Sequence, residues 1–122
     1  MKVNGTQLIK VFDADISQDG RFEIPQNVTE IVRSAFDSCI RLTNVTLNEK
    51  LTIISKETFD GCSSLDTVIF GKNITKIGGY AFRSCTRLTT VVFNEKLTQI
   101  GIEAFDGCVG LTTMIFNKML TK

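Results

Sequence analysis

Residues 42–110 read LTNVTLNEKLTIISKETFDGCSS, LDTVIFGKNITKIGGYAFRSCTR and LTTVVFNEKLTQIGIEAFDGCVG, three consecutive copies of one 23-residue unit. A fourth copy with an altered start, DGRFEIPQNVTEIVRSAFDSCIR, precedes them at residues 19–41, and a half copy, LTTMIFNKMLTK, follows at residues 111–122. The repeats therefore start at positions 19, 42, 65, 88 and 111. Self-similarity at a fixed period in this range is typical of a solenoid, in which each unit buries its apolar face against its neighbours.

The unit itself predicts a strand followed by a short turn. Its fourth to sixth positions, as in Val68-Ile69-Phe70, should alternate between the core and solvent, because successive strand residues point to opposite faces. Coil after coil, these strands predict one parallel sheet of five strands. The later Ala-Phe-x-x-Cys spaces its inward residues three apart, which favours a single helical or 3₁₀ turn.

The pattern L-x-x-V-x-F-x-x-x-L-T-x-I-G-x-x-A-F-x-x-C resembles the BspA-like leucine-rich repeats over residues 19–122. The resemblance implies an α/β-type repeat solenoid that is mainly β: a right-handed leucine-rich-repeat coil with one parallel sheet and short helical turns. Members of this family are largely surface or secreted recognition proteins, so the resemblance also implies protein–protein interaction without catalysis. The later copies depart from the family pattern at two positions. Pro25 of the first copy is replaced by Asn48, Gly71 and Asn94, and the glycine that follows the isoleucine is present only as Gly78 and Gly101. These departures fall in turns and leave the core positions intact.

Residues 1–18 do not fit the repeat and are predicted to form an N-terminal cap on the solenoid of residues 19–122, within a single domain. Residues 8–12 read as a strand and residues 13–20 as a loop rich in turn-forming residues. We expect this strand to lead into the first repeat strand at residues 21–24 as a hairpin, because an open solenoid end exposes core.

Composition excludes several classes of partner. The 122 residues carry a net charge of +1 with interleaved Arg and Asp side chains, so we expect no nucleic-acid binding. No run of residues is long and apolar enough for membrane insertion, and the first residues lack the apolar core of a secretory signal. The sequence alone therefore predicts a cytoplasmic location, whereas the family resemblance implies a surface location or delivery to a host.

The four cysteines, Cys39, Cys62, Cys85 and Cys108, recur at one position of the unit. Their even number is compatible with a disulfide framework and their type with a Cys₄ zinc site. Equivalent positions in stacked coils lie about 5 Å apart, however, which is too wide for a disulfide and places four sulfurs in a row that cannot surround one ion. The pattern therefore favours a ladder of buried free thiols that pack as small hydrophobes.

Residues that could carry catalysis are scarce. The chain has no histidine, which excludes Cys–His and Ser–His pairs, and Gly78-Gly79 is a turn rather than a phosphate-binding loop. The oxygen-rich residues 13–20 resemble a calcium loop but lack the required glycine and glutamate, so turn chemistry explains them equally well. We expect no enzyme activity, no cofactor and no metal.

The outward fifth position of the unit becomes apolar in the later copies, at Ile69, Val92 and Ile115. This stripe with its threonine rim is a candidate surface for a protein partner, although β-branched residues also suit any exposed sheet. The candidate partner-binding residues are Thr46, Thr67, Ile69, Thr90, Val92, Thr113 and Ile115.

The C-terminal half unit stops midway through a coil, which leaves core positions and one strand edge without a neighbour. An apolar edge of this kind is a template for pairing with another chain. Two outcomes stay open: a homodimer through residues 111–122, or a longer natural protein that continues the solenoid. The candidate self-association residues are Met114, Phe116, Met119 and Leu120.

Overall fold

The computed structural model describes residues 1–115, which form a mainly-β parallel-sheet solenoid of about five turns with almost no helix. We number the coils by their repeats: coil 1 is residues 19–41, coil 2 is 42–64, coil 3 is 65–87, coil 4 is 88–110, and coil 5 begins at 111. The strands are β1 (Lys2–Asn4), β2 (Gln7–Lys10), β3 (Arg21–Glu23), β4 (Glu30–Ile31), β5 (Asn44–Thr46), β6 (Ile53–Ile54), β7 (Thr67–Ile69), β8 (Lys76–Ile77), β9 (Thr90–Val92), β10 (Gln99–Ile100) and β11 (Thr113–Ile115).

The predicted five-stranded parallel sheet is confirmed and runs in the order β11-β9-β7-β5-β3. We call it the large sheet. Its middle residues point inward: Val45, Val68 and Val91 are buried, and each pairs in register with its equivalent in the next coil. A second wall of each coil contributes a two-residue strand, and β10, β8 and β6 pair in parallel to form a smaller sheet.

The third wall consists of turns, so the predicted helical or 3₁₀ turn is not confirmed there. In coil 1 the amides of Ala35, Asp37 and Cys39 donate to carbonyls three residues earlier within the coil. The intervening amides of Ser34, Phe36 and Ser38 donate instead to coil 2, at 3.2, 2.9 and 2.8 Å. Residues of positive φ recur twice per coil and prevent a helix, because left-handed backbone cannot extend one. They are Ser34, Ser38, Glu57, Gly61, Tyr80, Ser84, Glu103 and Gly107.

Stacked phenylalanines fill the core behind this turn wall. Phe36, Phe59 and Phe82 have no exposed surface, and their ring centroids follow one another at 4.9 and 5.2 Å. Offset aromatic rings at this spacing attract each other beyond the area they bury. Phe70 and Phe93 approach the same column from the large sheet, so one core cluster joins the walls.

The N-terminal segment does form a hairpin, but not the one expected. β1 and β2 pair antiparallel around a turn in which Gly5 has a φ of +61°. β2 then pairs in parallel with β4 and not with β3, so the hairpin extends the second wall of coil 1. A 3₁₀ helix at Asp13–Asp15 connects it to coil 1. The boundary between cap and solenoid at residue 18 stays a prediction.

Candidate functional site

The outer face of the large sheet carries all seven candidate partner-binding residues. Strand register places Thr46 beside Ile69, Ile69 beside Val92, and Val92 beside Ile115. Ile69 is 60% exposed and Ile115 48% exposed, whereas Val92 is half-buried. Three β-branched apolar side chains in adjacent strands therefore form one uninterrupted row, which we call the apolar stripe.

A row of threonines runs parallel to the stripe on the same face. Thr67 lies in register with Thr90, and Thr90 with Thr113, two residues before the stripe position of each strand. Thr67 and Thr90 are half-buried and Thr113 is exposed. Because residues two apart in a strand share a face, the stripe has a hydroxyl border along its amino-terminal side.

A shallow hollow opens beside Ile69, at the carboxyl ends of β5 and β7. Its volume is about 220 Å³, and Thr46, Ile69 and Gly71 are among the residues that line it. Gly71 stands where the neighbouring coils have Asn48 and Asn94, whose side chains turn inward and donate to main-chain carbonyls. The hollow gives the stripe a concave element that an exposed flat sheet lacks.

A second, larger depression lies at the amino-terminal ends of the same strands. We call it the polar basin; it has a volume of about 550 Å³ and is lined by Thr43, Ser64, Asp66, Thr86, Arg87, Thr89 and Gly110. Asp66 accepts a 2.8 Å hydrogen bond from the Thr89 hydroxyl, and Arg87 is exposed. Sequence reasoning missed the basin, although Asp66 interrupts a column that is threonine in coils 2, 4 and 5.

The four cysteines line the inside of the turn wall as free thiols, and Cys39, Cys62 and Cys85 are buried as predicted. Cys108 differs from the prediction because it is only half-buried. The Cys62, Cys85 and Cys108 thiols each donate to the carbonyl of the phenylalanine in the preceding coil, at 3.0–3.1 Å. Burial raises the pKa of Cys39 to about 11 and also raises the pKa of Cys62. A hydrogen bond with Cys108, together with burial, raises the pKa of Cys85.

Two arginines of the turn wall pair with acidic side chains of a neighbouring coil. The Arg83 guanidinium binds both carboxylate oxygens of Asp60, at 2.6 and 3.2 Å, and lies 4.6 Å from the centre of the Tyr80 ring. Arg33 binds Glu57 at 2.8 Å. The hydrogen bond to Asp60 raises the pKa of Arg83, and the pair joins coil 3 to coil 2.

The carboxylates of the calcium-like loop are also engaged within the protein. Asp13 accepts from the Arg41 amide at 3.2 Å, and Asp19 accepts from the Ser17 hydroxyl and the Arg21 amide. These bonds lower the pKa of Asp19, first through Ser17 and then through Arg21. Within residues 1–115, no three Cys, Asp or Glu side chains converge as ligands of one metal ion.

The candidate self-association edge is only partly within the described residues. Met114 is 41% exposed, and its strand β11 lies at the edge of the large sheet. Phe116, Met119 and Leu120 lie outside the described residues. Coil 4 is more open than the coils before it, since Ile100 is 47% exposed although its equivalents Ile54 and Ile77 are buried. No helix among residues 1–115 combines the length and apolar character needed to cross a membrane.

Comparison with known proteins identifies the repeat. Residues 12–122 match the family described as BspA type leucine rich repeat region, in 6 copies. No curated protein matches the chain.

Solved structures of bacterial proteins share the fold. A leucine rich cell surface protein from Faecalibacterium prausnitzii superposes with a TM-score of 0.84 at 25% identity, covering 92% of this chain and 30% of that one. A leucine-rich repeat protein from Bacteroides ovatus gives 0.71 at 29% identity, covering 78% and 24%. The T. pallidum leucine rich repeat protein gives 0.69 at 26% identity, covering 79% and 56%. The chain thus spans between a quarter and just over half of the length of these structures.

Proposed function

Because the chain belongs to the BspA-type leucine-rich-repeat family, we propose that the outer face of its large sheet binds a protein partner without catalysing a reaction. The family and its structural neighbours support a role in protein interaction or in assembly. The choice of this face as the binding surface is our proposal and rests on the residues described above. We take the coil to wind in the right-handed sense that connections between parallel strands normally adopt.

The observation that carries the proposal is the apolar stripe. Apolar side chains on a solvent-facing sheet leave water when a partner covers them, and each square ångström of apolar surface removed contributes about 25 cal/mol. Ile69, the most exposed of the three, lies next to the hollow at Gly71, so a partner side chain can insert beside it. The threonine row and the polar basin supply hydrogen-bonding groups around this apolar centre, the arrangement found in protein interfaces.

A double substitution tests the assignment. Ile69→Lys with Val92→Lys places two charges in the stripe while leaving the buried face of the sheet unchanged. Ile53→Lys is the matched control, because Ile53 is also an exposed isoleucine in a strand, at 47%, but lies on the second wall. Immobilised wild-type and control chains should retain the same protein from a cell or host extract, and the double variant should lose it. In a direct titration with that purified protein, the wild type and the control should bind with similar affinity and the double variant should bind more weakly.

Two results would contradict the proposal. One is that the double variant, shown by circular dichroism to be folded, binds the purified partner as tightly as the wild type. The other is that Ile53→Lys abolishes binding while the double variant retains it, which would move the interface to the second wall.

The alternative function is an assembly module whose main contact is self-association through the C-terminal edge. The exposed Met114 on the edge strand β11 and the exposed Ile100 favour it. Like surfaces of identical chains most often meet across a two-fold axis, so the expected product is a homodimer. Light scattering after size exclusion should then report a dimer that Phe116→Glu converts into a monomer and that Ile69→Lys with Val92→Lys leaves intact. A wild-type chain that stays monomeric at high concentration would overturn this alternative.

A further inference from the structure

The second wall of the solenoid is interrupted between coil 1 and coil 2. β4 pairs with β2 and β6 pairs with β8, but within residues 1–115 no backbone ladder joins β4 to β6. Both neighbouring walls are continuous at this boundary: β3 pairs with β5 in the large sheet, and the turn wall keeps its three amide bonds from coil 1 to coil 2.

The other coil boundaries of the second wall show what is missing. Between coils 2 and 3, the Thr75 amide donates to the Thr52 carbonyl at 2.8 Å and the Gly78 amide to the Ile54 carbonyl at 2.7 Å. Coils 3 and 4 repeat both bonds, at 2.9 and 2.7 Å. The equivalent amides at the interrupted boundary belong to Thr52 and Ser55, and among the described residues neither donates to coil 1. The Ser55 hydroxyl instead reaches the Ile31 carbonyl at 2.7 Å.

The residue that follows the second-wall isoleucine differs between these boundaries. It is glycine where the coils pair, and a Cβ on Gly78 would lie 2.6 Å from the amide nitrogen of Lys56. A Cβ on Gly101 would lie 2.5 Å from the amide nitrogen of Gly79. These distances are far inside van der Waals contact, so coils 2, 3 and 4 approach one another this closely only with glycine at this position. The equivalent Val32 of coil 1 donates to the hairpin and not to another coil. Ser55 has a Cβ at the boundary where the coil-to-coil bonds are missing.

The separation leaves a cleft of about 320 Å³ lined by Thr29, Glu30, Ile31, Thr52, Ile53 and Ser55. Coil 1 is bonded more closely to the hairpin than to coil 2 on this side. β2 and β4 share a register, and the Val32 amide donates to the Leu8 carbonyl at 3.0 Å.

We propose that this interruption is a hinge. The hairpin and coil 1 tilt as one unit against coils 2–4, the cleft opens and closes on the second wall, and the large sheet bends between β3 and β5. Motions of packed elements of this kind occur in microseconds to milliseconds. Ser55 sets the hinge through its Cβ, which holds the wall apart, and its hydroxyl, which limits the opening by holding the Ile31 carbonyl.

Amide hydrogen exchange and relaxation dispersion measured by NMR on the full chain test the hinge. In the wild type, the amides of Thr52 and Ser55 should exchange faster than those of Thr75 and Gly78, and millisecond dispersion should concentrate in coil 1 and β6. Ser55→Gly should let the wall close, slow exchange at positions 52 and 55 by about tenfold or more, and suppress the dispersion.

Two further variants separate the Cβ from the hydroxyl. Ser55→Ala keeps the Cβ and removes the bond to Ile31, so both amides should stay fast and dispersion should increase. Gly78→Ser should open a second interruption and accelerate exchange at positions 75 and 78. The hinge is overturned if wild-type Thr52 is protected as strongly as Thr75, or if folded Ser55→Gly leaves both the exchange and the dispersion unchanged.

Discussion

The Phe82 and Phe105 rings stack with their centroids 5.2 Å apart and their planes within 1° of parallel. Phe82 stacks equally closely on Phe59 from the other side, and it has no exposed surface. Phe105 is half-buried and is the last ring of the column within residues 1–115. The same residue type, one repeat apart, therefore occupies a fully packed and a partly open environment.

We expect Phe82→Ala to be among the most destabilising single changes. Removing a fully buried phenylalanine side chain costs about 3–5 kcal/mol in the free energy of unfolding, which is a large share of the stability of a domain of this size. Phe105→Ala is the matched control and should cost less, because its side chain is already partly solvated. Urea unfolding followed by circular dichroism measures both. Equal midpoints for the two variants would contradict the burial difference.

Thiol titration should distinguish Cys108 from the other three cysteines. Cys39, Cys62 and Cys85 are buried and should react only after denaturation, whereas the half-buried Cys108 should react first in the native protein. Denaturation without reductant should release four reactive thiols in total. Four rapidly reacting thiols in the native state, or none after unfolding, would exclude the buried ladder.

The raised thiol pKa values predict that stability falls at alkaline pH. An unfolded thiol ionises near its ordinary pKa of 9.0, whereas the folded Cys62 thiol remains protonated at higher pH. The native state then holds more protons than the unfolded state, so the free energy of unfolding decreases by about 1.4 kcal/mol per pH unit for each such thiol above pH 9.

Cys62→Ala isolates this contribution. The variant loses packing at every pH, but its free energy of unfolding should decline less steeply between pH 9 and 11 than that of the wild type. Parallel slopes for the two proteins would show that the Cys62 thiol ionises in the folded state as readily as in the unfolded chain.

The left-handed positions of the turn wall offer a stabilising substitution. Glu103 has a φ of +52° and is exposed, so Glu103→Gly should raise the free energy of unfolding by about 1 kcal/mol by relieving a backbone strain that glycine does not have. Gly107, with a φ of +77°, is the reverse case. A Cβ there would meet nothing nearer than 3.5 Å, so Gly107→Ala should destabilise through backbone strain alone. Thermal unfolding should show a higher Tm than wild type for Glu103→Gly and a lower Tm for Gly107→Ala. Shifts of the two Tm values in the same direction would contradict the argument.

The repeat alignment was sufficient to predict the large sheet and the core. Positions that recur at a 23-residue interval must stack, so the register of Val45, Val68 and Val91 and the buried ring of Phe82 follow from the sequence. The same reasoning placed Ile69, Val92 and Ile115 in one outward-facing row, because strand alternation determines which residues face outward.

The turn wall and the second wall could not be predicted in this way. Left-handed backbone is normally indicated by glycine, but Ser34, Glu57 and Tyr80 adopt it because amide bonds to the next coil impose the conformation. The interruption of the second wall falls at Ser55, where the next two coils have Gly78 and Gly101. A departure from the repeat in a turn gives no indication of its structural effect. The expected hairpin between β2 and β3 was wrong, because β2 pairs with β1 and β4. β4 is not the next strand after β2 in the sequence, so no turn between the two indicates their pairing.

The thiols of Cys62, Cys85 and Cys108 share one feature: each donates to a main-chain carbonyl of the preceding coil and not to a side chain. Every coil has such a carbonyl whatever its sequence, so the bond does not depend on which coil comes before. An in-frame duplication or deletion of one whole unit, for example residues 65–87, therefore leaves each thiol with an acceptor. With respect to these bonds, the number of coils can therefore change without any change in the side chains of the exposed surface.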